Sequence, residues 1–247
     1  MKRFYIPSNA INLQKTQAVI NKPDAHHIKN VLRLEKGHVI QIILPDGVSY
    51  SASIKSITND CVITDILSQL NISKPSTHHI TVAQSMLKDK KMDTLIRQTT
   101  ELGVDQWISF ISERSIARPS KERMEKKVKR WQSIAKSAAQ QCQRQLVPEI
   151  CEHLLDLSQV FSLISKKDTR GYFFWEKSKK KLETSEKLSF HSMILIFGPE
   201  GGFTDNEAKM ASDAGFCLLS LGSRILRAET ATIVGLSLTQ FLHGNLY

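Results

Sequence analysis

The residues in this chain that could do chemistry gather in short loops rather than in a metal cluster or a nucleophile motif. Phe197-Gly198-Pro199-Glu200-Gly201-Gly202 brings three glycines together between an apolar run, Met193 to Phe197, and the capping box Thr204-Asp205-Asn206-Glu207. Such a string lets backbone approach a ligand closely and present its N–H groups. The spacing is not that of a dinucleotide fingerprint, and no Gly-Lys-Ser/Thr follows, so neither that motif nor a phosphate loop is met. A plain tight turn explains this string alone equally well. Leu221-Gly222-Ser223-Arg224-Ile225-Leu226-Arg227-Ala228-Glu229-Thr230-Ala231 is more telling, because two arginines and a glutamate lead into a helix. Arginine grips phosphate or carboxylate bidentately, and that role is favoured over a structural Arg–Glu staple. Ser112-Glu113-Arg114 ends another strand-like segment, so three loops at three strand ends are expected to converge on one pocket.

Other candidates are weaker. His26-His27 and His78-His79 are pairs without metal-ligand spacing, and packed or surface histidine is the better reading, so no metal is expected. No GxSxG elbow occurs. Cys142 falls on an apolar helix stripe and reads as core. Arg3, Phe4 and Tyr5 suit either base stacking or an edge strand. The net charge is +10, and residues 114 to 144 hold ten Lys/Arg against two Glu. A solvated helix face and contact with a nucleic acid weigh about equally there, with Lys126, Lys129 and Lys136 as the candidate contacts.

These loops need a scaffold, and the hydrophobic pattern supplies two kinds. Val39 to Leu44, Ser49 to Ile57 and Cys61 to Leu67 read as strands, separated by Pro45-Asp46-Gly47 and Asn59-Asp60 turns. Asp24 to Leu34 reads as one short helix with Asp24 as its N-cap. Short strands at regular spacing suggest a small barrel or sandwich. Gln69 to Thr77 lacks periodicity and is the expected linker. Beyond it, strands alternate with helices: His79 to Met86, Met92 to Leu102, Val104 to Ile111, a long helix from Lys121 behind Ser120, a weaker helix Ser158 to Ser165, Gly171 to Trp175, Met193 to Phe197, the capped helix ending at Gly215, Phe216 to Leu221, and Glu229 to Leu242. That alternation predicts a mainly parallel α/β sheet.

Composition agrees with a soluble globular chain. The 247 residues are 41% hydrophobic and 23% charged, enough for one large domain or a small plus a medium one. The longest apolar run is too short for a membrane span. Lys2-Arg3 is followed by no apolar h-region, so no secretion signal is expected. Four scattered cysteines without a CxxC pair fit a reducing cytosol.

Taken together, the two C-terminal strings resemble the cofactor loops of the ribosomal RNA small subunit methyltransferase E family. Met92-Asp93 with Thr100-Glu101-Leu102-Gly103-Val104, Ser112-Glu113-Arg114, and His26-His27-Ile28-Lys29-Asn30-Val31-Leu32-Arg33 are similar to its earlier blocks. The family often has Pro where Ser223 stands and Thr where Ala228 stands; its usual Glu-Gln-Ser-Gly-Arg reads Gln140-Gln141-Cys142-Gln143-Arg144 here. The resemblance implies a SPOUT-type α/β sheet with a C-terminal trefoil knot at 74–247, preceded by a PUA-like β-barrel at 1–73. It implies a cytoplasmic homodimer that uses S-adenosylmethionine to methylate N3 of one uridine in small-subunit ribosomal RNA, in the assembled subunit. It assigns the cofactor to Phe197, Gly198, Pro199, Glu200, Gly201, Leu221, Gly222, Ile225, Leu226, Arg227, Thr230 and Ala231. Catalysis is expected of Arg114 and Arg227, with Glu200 as proton acceptor. RNA contact is expected of Arg3, His27, Arg33, Lys126, Lys129, Lys136 and Arg144. The alternatives are a SPOUT ribose 2′-O-methyltransferase and a non-catalytic RNA-binding protein.

Overall fold

The computed structural model describes residues 1–70, 78–165, 168–182 and 190–243. The chain forms two compact units, Met1–Pro75 with Ala139–Val147, and Ser76–Ala138 with Pro148–Tyr247. The expected boundary after Ser73 lies outside the described residues. So does most of the expected linker, although Gln69 and Leu70 belong to a strand.

The first unit holds β1 (Arg3–Tyr5), β2 (Ile11–Asn12), β3 (Gln17–Asn21), β4 (Val39–Ile43), β5 (Ser49–Ile57) and β6 (Cys61–Leu70), in the order β1-β4-β5-β6-β3-β2. The turn after β4 closes with Gly47 N–H on the Leu44 carbonyl and Asp46 Oδ1 accepting from Val48 N–H at 3.0 Å. Alternation turns Ala18 and Ile20 of β3 inward, against Ile40, Ile42, Ala52, Ile54 and Val62. Phe4 of one edge strand and Ile11 of the other join that same cluster, so the sheet curls around a single core as a small barrel does. The expected helix from Asp24 is shorter than predicted: α1 (Asp24–His26) passes into a π-helical turn, His27–Val31. Asp24 is the first helical residue and Pro23 the N-cap. Arg33 ends the segment at φ 50°, a left-handed position that stops a helix.

Residues 139–147 pack in this unit although the sequence pattern left them with the second. The Arg3 guanidinium donates to the Gln143 carbonyl, and to that of Arg144 at 3.4 Å. Tyr5 OH donates to the Arg144 carbonyl at 2.5 Å, and Ser49 Oγ to Gln145 Oε1 at 3.1 Å. Cys142 is half-buried in this stretch, one residue beyond the end of a helix, and is not the core residue its spacing suggested.

The second unit is a parallel sheet of β7 (His79–Ser85), β8 (Gln106–Ile111), β9 (Glu149–Ile150), β10 (Leu155–Asp156), β11 (Thr169–Phe174), β12 (Ser192–Phe197) and β13 (Cys217–Leu219). The order is β10-β8-β7-β12-β11-β13, with β9 also on β8. Strands β7, β11 and β12 are buried along most of their length, as parallel strands covered on both faces must be. The helices are α2 (Lys91–Glu101), α3 (Lys121–Gln141), α4 (Leu157–Phe161), which continues as a 3₁₀ turn, α5 (Asp205–Asp213) and α6 (Ala228–Leu242). Met92, Leu95, Ile96 and Thr99 form the buried stripe of α2. Trp131 of α3 is fully buried and its Nε1–H donates to Asp93 Oδ1 at 2.9 Å, fastening α3 to α2. Phe110, Phe173 and Phe203 lie in one cluster, with the Phe173 and Phe203 rings 4.1 Å apart. Each such buried ring contributes about 2–3 kcal/mol. Among the described residues no helix is long and apolar enough to cross a membrane.

Candidate active site

Register brings three strand ends together. Phe174 of β11 pairs with Leu219 of β13, and Phe173 with Ile196 of β12, so the loops after these strands leave from one edge of the sheet. Ligands bind at such carboxyl ends in open α/β sheets. A cleft of about 280 Å³ lies among the loops. Of the twelve expected cofactor residues, residues 198–201, 221, 222, 225, 226 and 231 line it. Gly222 sits at φ 110°, which only glycine adopts without strain, and it keeps the cleft mouth free of a side chain. Ile225, an apolar side chain, is 88% exposed beside that mouth.

Three of the expected residues stand elsewhere. Phe197 lies beneath the cleft, stacked on Phe174 with centroids 4.6 Å apart. Arg227 is the exposed N-cap of α6 and does not line the cleft. Thr230 lines a different groove, with Lys91 and Val234. The helical period explains this: Ala228 and Ala231, three apart, share the cleft face, and Thr230 is rotated off it.

The loops are braced from below. Gln84 at the end of β7 is fully buried; its Nε2–H donates to the Gly198 carbonyl at 2.9 Å, and its Oε1 accepts from Thr232 Oγ1–H at 2.6 Å. One side chain thus ties the glycine loop to the first turns of α6. Glu200 Oε1 accepts from Lys88 N–H at 3.1 Å and from Lys91 Nζ at 3.2 Å, and Lys91 reaches Glu229 Oε2 at 3.4 Å. Burial pushes the Glu200 carboxyl up, but the Lys88 N–H, its own N–H and the Lys91 ammonium outweigh it and hold the group below the usual carboxylate range. The loop after β8 joins the same assembly: Arg114 Nη1–H donates to the Gly201 carbonyl at 3.1 Å, and Glu113 Oε2 accepts from Thr204 Oγ1 at 3.1 Å. Buried Glu207 completes the capping box with Thr204 and also accepts from Glu113 N–H at 2.8 Å. Arg118 holds that loop in turn, donating to the carbonyls of Ser112, Glu113 and Ser115. Two of the three expected loops line the cleft; the third, at Ser112-Glu113-Arg114, packs against the glycine loop through Gly201 and Thr204 without lining the cleft itself.

The expected RNA residues divide. Lys126 and Lys129 are exposed on α3, and Lys136 is half-buried. Arg33 is exposed and His27 half-buried. The Arg3 guanidinium is engaged on backbone carbonyls, one of them that of Arg144, so Arg3 acts as a structural tie. Sequence reasoning missed Gln84, Thr232, Lys91, Arg118, Trp175 and Glu176. A glutamine inside the otherwise apolar run His79 to Met86 was the available signal for the first. Among the described residues no group of His, Cys, Asp and Glu is placed to hold a metal.

Comparison with known proteins agrees with this geometry. Residues 74–240 match a family described as an RNA methyltransferase domain, and residues 20–67 one described as an RNA methyltransferase PUA domain. A ribosomal RNA small subunit methyltransferase E of Bacillus subtilis is 28% identical, covering 99% of this chain and 100% of its own length. A protein of the same description from Buchnera aphidicola subsp. Schizaphis graminum is 30% identical over 95% of this chain and 94% of its own. The crystal structure of a ribosomal RNA small subunit methyltransferase E from Neisseria gonorrhoeae bound to S-adenosyl methionine superposes with a TM-score of 0.87, at 28% identity and 98% coverage of both chains. This chain belongs to the ribosomal RNA small subunit methyltransferase E family.

Proposed function

We propose that the chain binds S-adenosylmethionine in the cleft and methylates N3 of a uridine in small-subunit ribosomal RNA. One observation carries the reading: the glycine loop and the Leu221–Ala231 string fold into a single cleft at the ends of parallel strands, and Arg114 bonds to the glycine loop from outside its lining. The cleft fits the cofactor chemically. Phe174, Leu226, Ala228 and Ala231 offer apolar surface for a flat base, and Glu176 and Glu200 line it with carboxylates suited to an ammonium and a sulfonium. Trp175 Nε1–H is buried there without a hydrogen-bond partner among the described residues, an open donor for a polar ligand edge.

Bound there, the cofactor supplies a methyl group already activated for transfer. What the protein adds is positioning, exclusion of water and electrostatics. Uracil N3 becomes nucleophilic on losing its proton, and negative charge then spreads over the base. Arg114, whose guanidinium donates to the Gly201 carbonyl of the glycine loop, is assigned the role of stabilising that charge. Arg227, exposed at the start of α6 and outside the cleft lining, is the second arginine assigned to that role. Glu200, held low and paired with Lys91, is a weak proton acceptor and serves as a clamp on the segment Lys88 to Lys91.

The same reading includes the catalytic domain at 74–247, the knotted C-terminal end, action in the cytoplasm, and a homodimer in which a second copy covers the exposed Leu238 and Phe241 of α6. The test is incubation of the full chain with labelled S-adenosylmethionine and small ribosomal subunits, followed by nucleoside mass spectrometry. The expected product is a methyluridine lacking its N3 proton. Label on the ribose 2′ oxygen establishes the ribose reaction instead, and absence of cofactor binding establishes a non-catalytic RNA-binding protein.

A further inference from the structure

Much of the net charge of +10 lies between residues 114 and 144, but the loop leaving β11 carries a second concentration of lysine. Residues 175–182 read Trp-Glu-Lys-Ser-Lys-Lys-Lys-Leu. Lys177 is committed within the fold: its Nζ lies 2.6 Å from Asp205 Oδ1 and over the Trp175 ring. Lys179, Lys180 and Lys181 differ. All are exposed, and their side chains form no hydrogen bond or ion pair among the described residues.

Three consecutive like charges repel one another, yet their backbone is fixed. Ser178 Oγ–H donates to the Leu218 carbonyl at 3.0 Å and accepts from Lys180 N–H at 3.2 Å. Ser220 N–H donates to the Lys180 carbonyl at 2.8 Å, and Lys181 bridges to Ser220 as a parallel pair. Ser220 lines the cleft, as do Trp175 and Glu176 at the other end of the loop. The lysines are thus held along the cleft rim. Arg224, exposed and also lining the cleft, adds a fourth cation. Among its described residues, 175–182, the loop presents no exposed aromatic or aliphatic side chain of the kind that anchors a protein partner.

We propose that Lys179, Lys180 and Lys181, with Arg224, form an electropositive lip that grips the phosphate backbone of the RNA whose target base enters the cleft. Charge complementarity selects the occupant: a polyanionic strand releases counterions on meeting an array of exposed lysines. The proposal rests on the methyltransferase reading above and adds the path of the strand beside the cofactor.

The test compares the full-length protein with a triple variant, Lys179→Gln, Lys180→Gln and Lys181→Gln, and with the same three positions changed to Arg. The probe is in-vitro transcribed small-subunit ribosomal RNA, titrated at several salt concentrations, with S-adenosylmethionine affinity measured on the same samples. In the glutamine variant the salt slope for RNA should fall by about 2, three contacts at ~0.7 each for a single strand. RNA affinity at low salt should fall at least tenfold, cofactor affinity should stay as in the parent, and the arginine variant should recover the slope. An unchanged salt slope in a glutamine variant that still binds cofactor overturns the lip and leaves the methyltransferase reading standing. Loss of methylation on assembled subunits with an unchanged RNA slope also overturns it, assigning the lysines to a ribosomal protein. If the parent itself binds no cofactor and methylates no RNA, the underlying reading fails first and the lip with it.

Discussion

Replacing Gln84 by Leu should weaken the cofactor site more than it weakens the fold. The side chain is fully buried and its two ends serve different loops, Gly198 through Nε2 and Thr232 through Oε1. Leucine has a similar volume, so packing is largely kept. Thr232 loses little, since its hydroxyl also lies 2.9 Å from the Ala228 carbonyl and turns to it. The Gly198 carbonyl has no such substitute from Thr232, and an orphaned buried acceptor costs about 1–3 kcal/mol. The glycine loop borders the cleft and escapes that penalty by shifting toward water, which displaces the backbone expected to hold the cofactor. Converted to affinity, the loss is roughly 5- to 150-fold at about 1.4 kcal/mol per tenfold. Gln84→Glu should be worse than Gln84→Leu, because it points a second acceptor at the same carbonyl. Calorimetric titration with S-adenosylmethionine, beside thermal melting of the same samples, measures both quantities. Parental affinity in folded Gln84→Leu, or a large loss of stability with unchanged affinity of the folded fraction, refutes the brace.

Other perturbations test other parts of the structure. Gly235→Ala places a Cβ 2.6 Å from Phe197 Cε1 and 3.2 Å from Phe174 Cζ, so the gain in helix propensity should be outweighed by about 1–3 kcal/mol of overpacking, read as a lower denaturation midpoint. Tyr5→Phe removes the bond to Arg144 and should lower stability by about 1 kcal/mol. Burial, with Cys142 nearby, pushes the Tyr5 hydroxyl up to about 12 from its ordinary 10, so the parent should lose stability as pH rises from 10 toward 12 and the Phe variant should lose less. His78 and His243, rings 5.6 Å apart, are both held below the usual 6.5, chiefly by burial, with His191 opposing charge on His78, Asp168 favouring it, and His78 opposing charge on His243. The unfolded chain takes up protons there before the folded one does, so melting temperature should fall as pH drops below 6.5, and His243→Gln should flatten that fall.

The parts of the fold visible in the sequence were those set by local pattern. The turns after β4 and β5, the stripe of α2, the Thr204 capping box and the run of β12 are each specified within about ten residues. The cleft was visible because its glycines and arginines are unusual for plain connectors. Hidden features depend on distant partners. Gln84 looks like a polar interruption until Gly198 and Thr232 close over it. Strands β2, β9 and β10 are two residues each and exist only through their neighbours. Thr230 and Arg227 belonged to a suggestive string, yet the turn of α6 carries Thr230 off the cleft face and leaves Arg227 outside it.

The segment 139–147 has a consequence for how the molecule is made. Tyr5 and its partner carbonyl on Arg144 are 139 residues apart in the chain. At ~5–20 residues per second, a ribosome delivers the later residues on the order of ten seconds after the earlier ones. From the midpoint of that interval, once β6 has been made, β3 to β6 can pair, but the tie from Arg3 and Tyr5 has nothing to hold. The N-terminal sheet therefore waits for more than half the protein before it is whole. It is not a cassette that recombination could lift out at the linker, because its final piece is encoded inside the other unit.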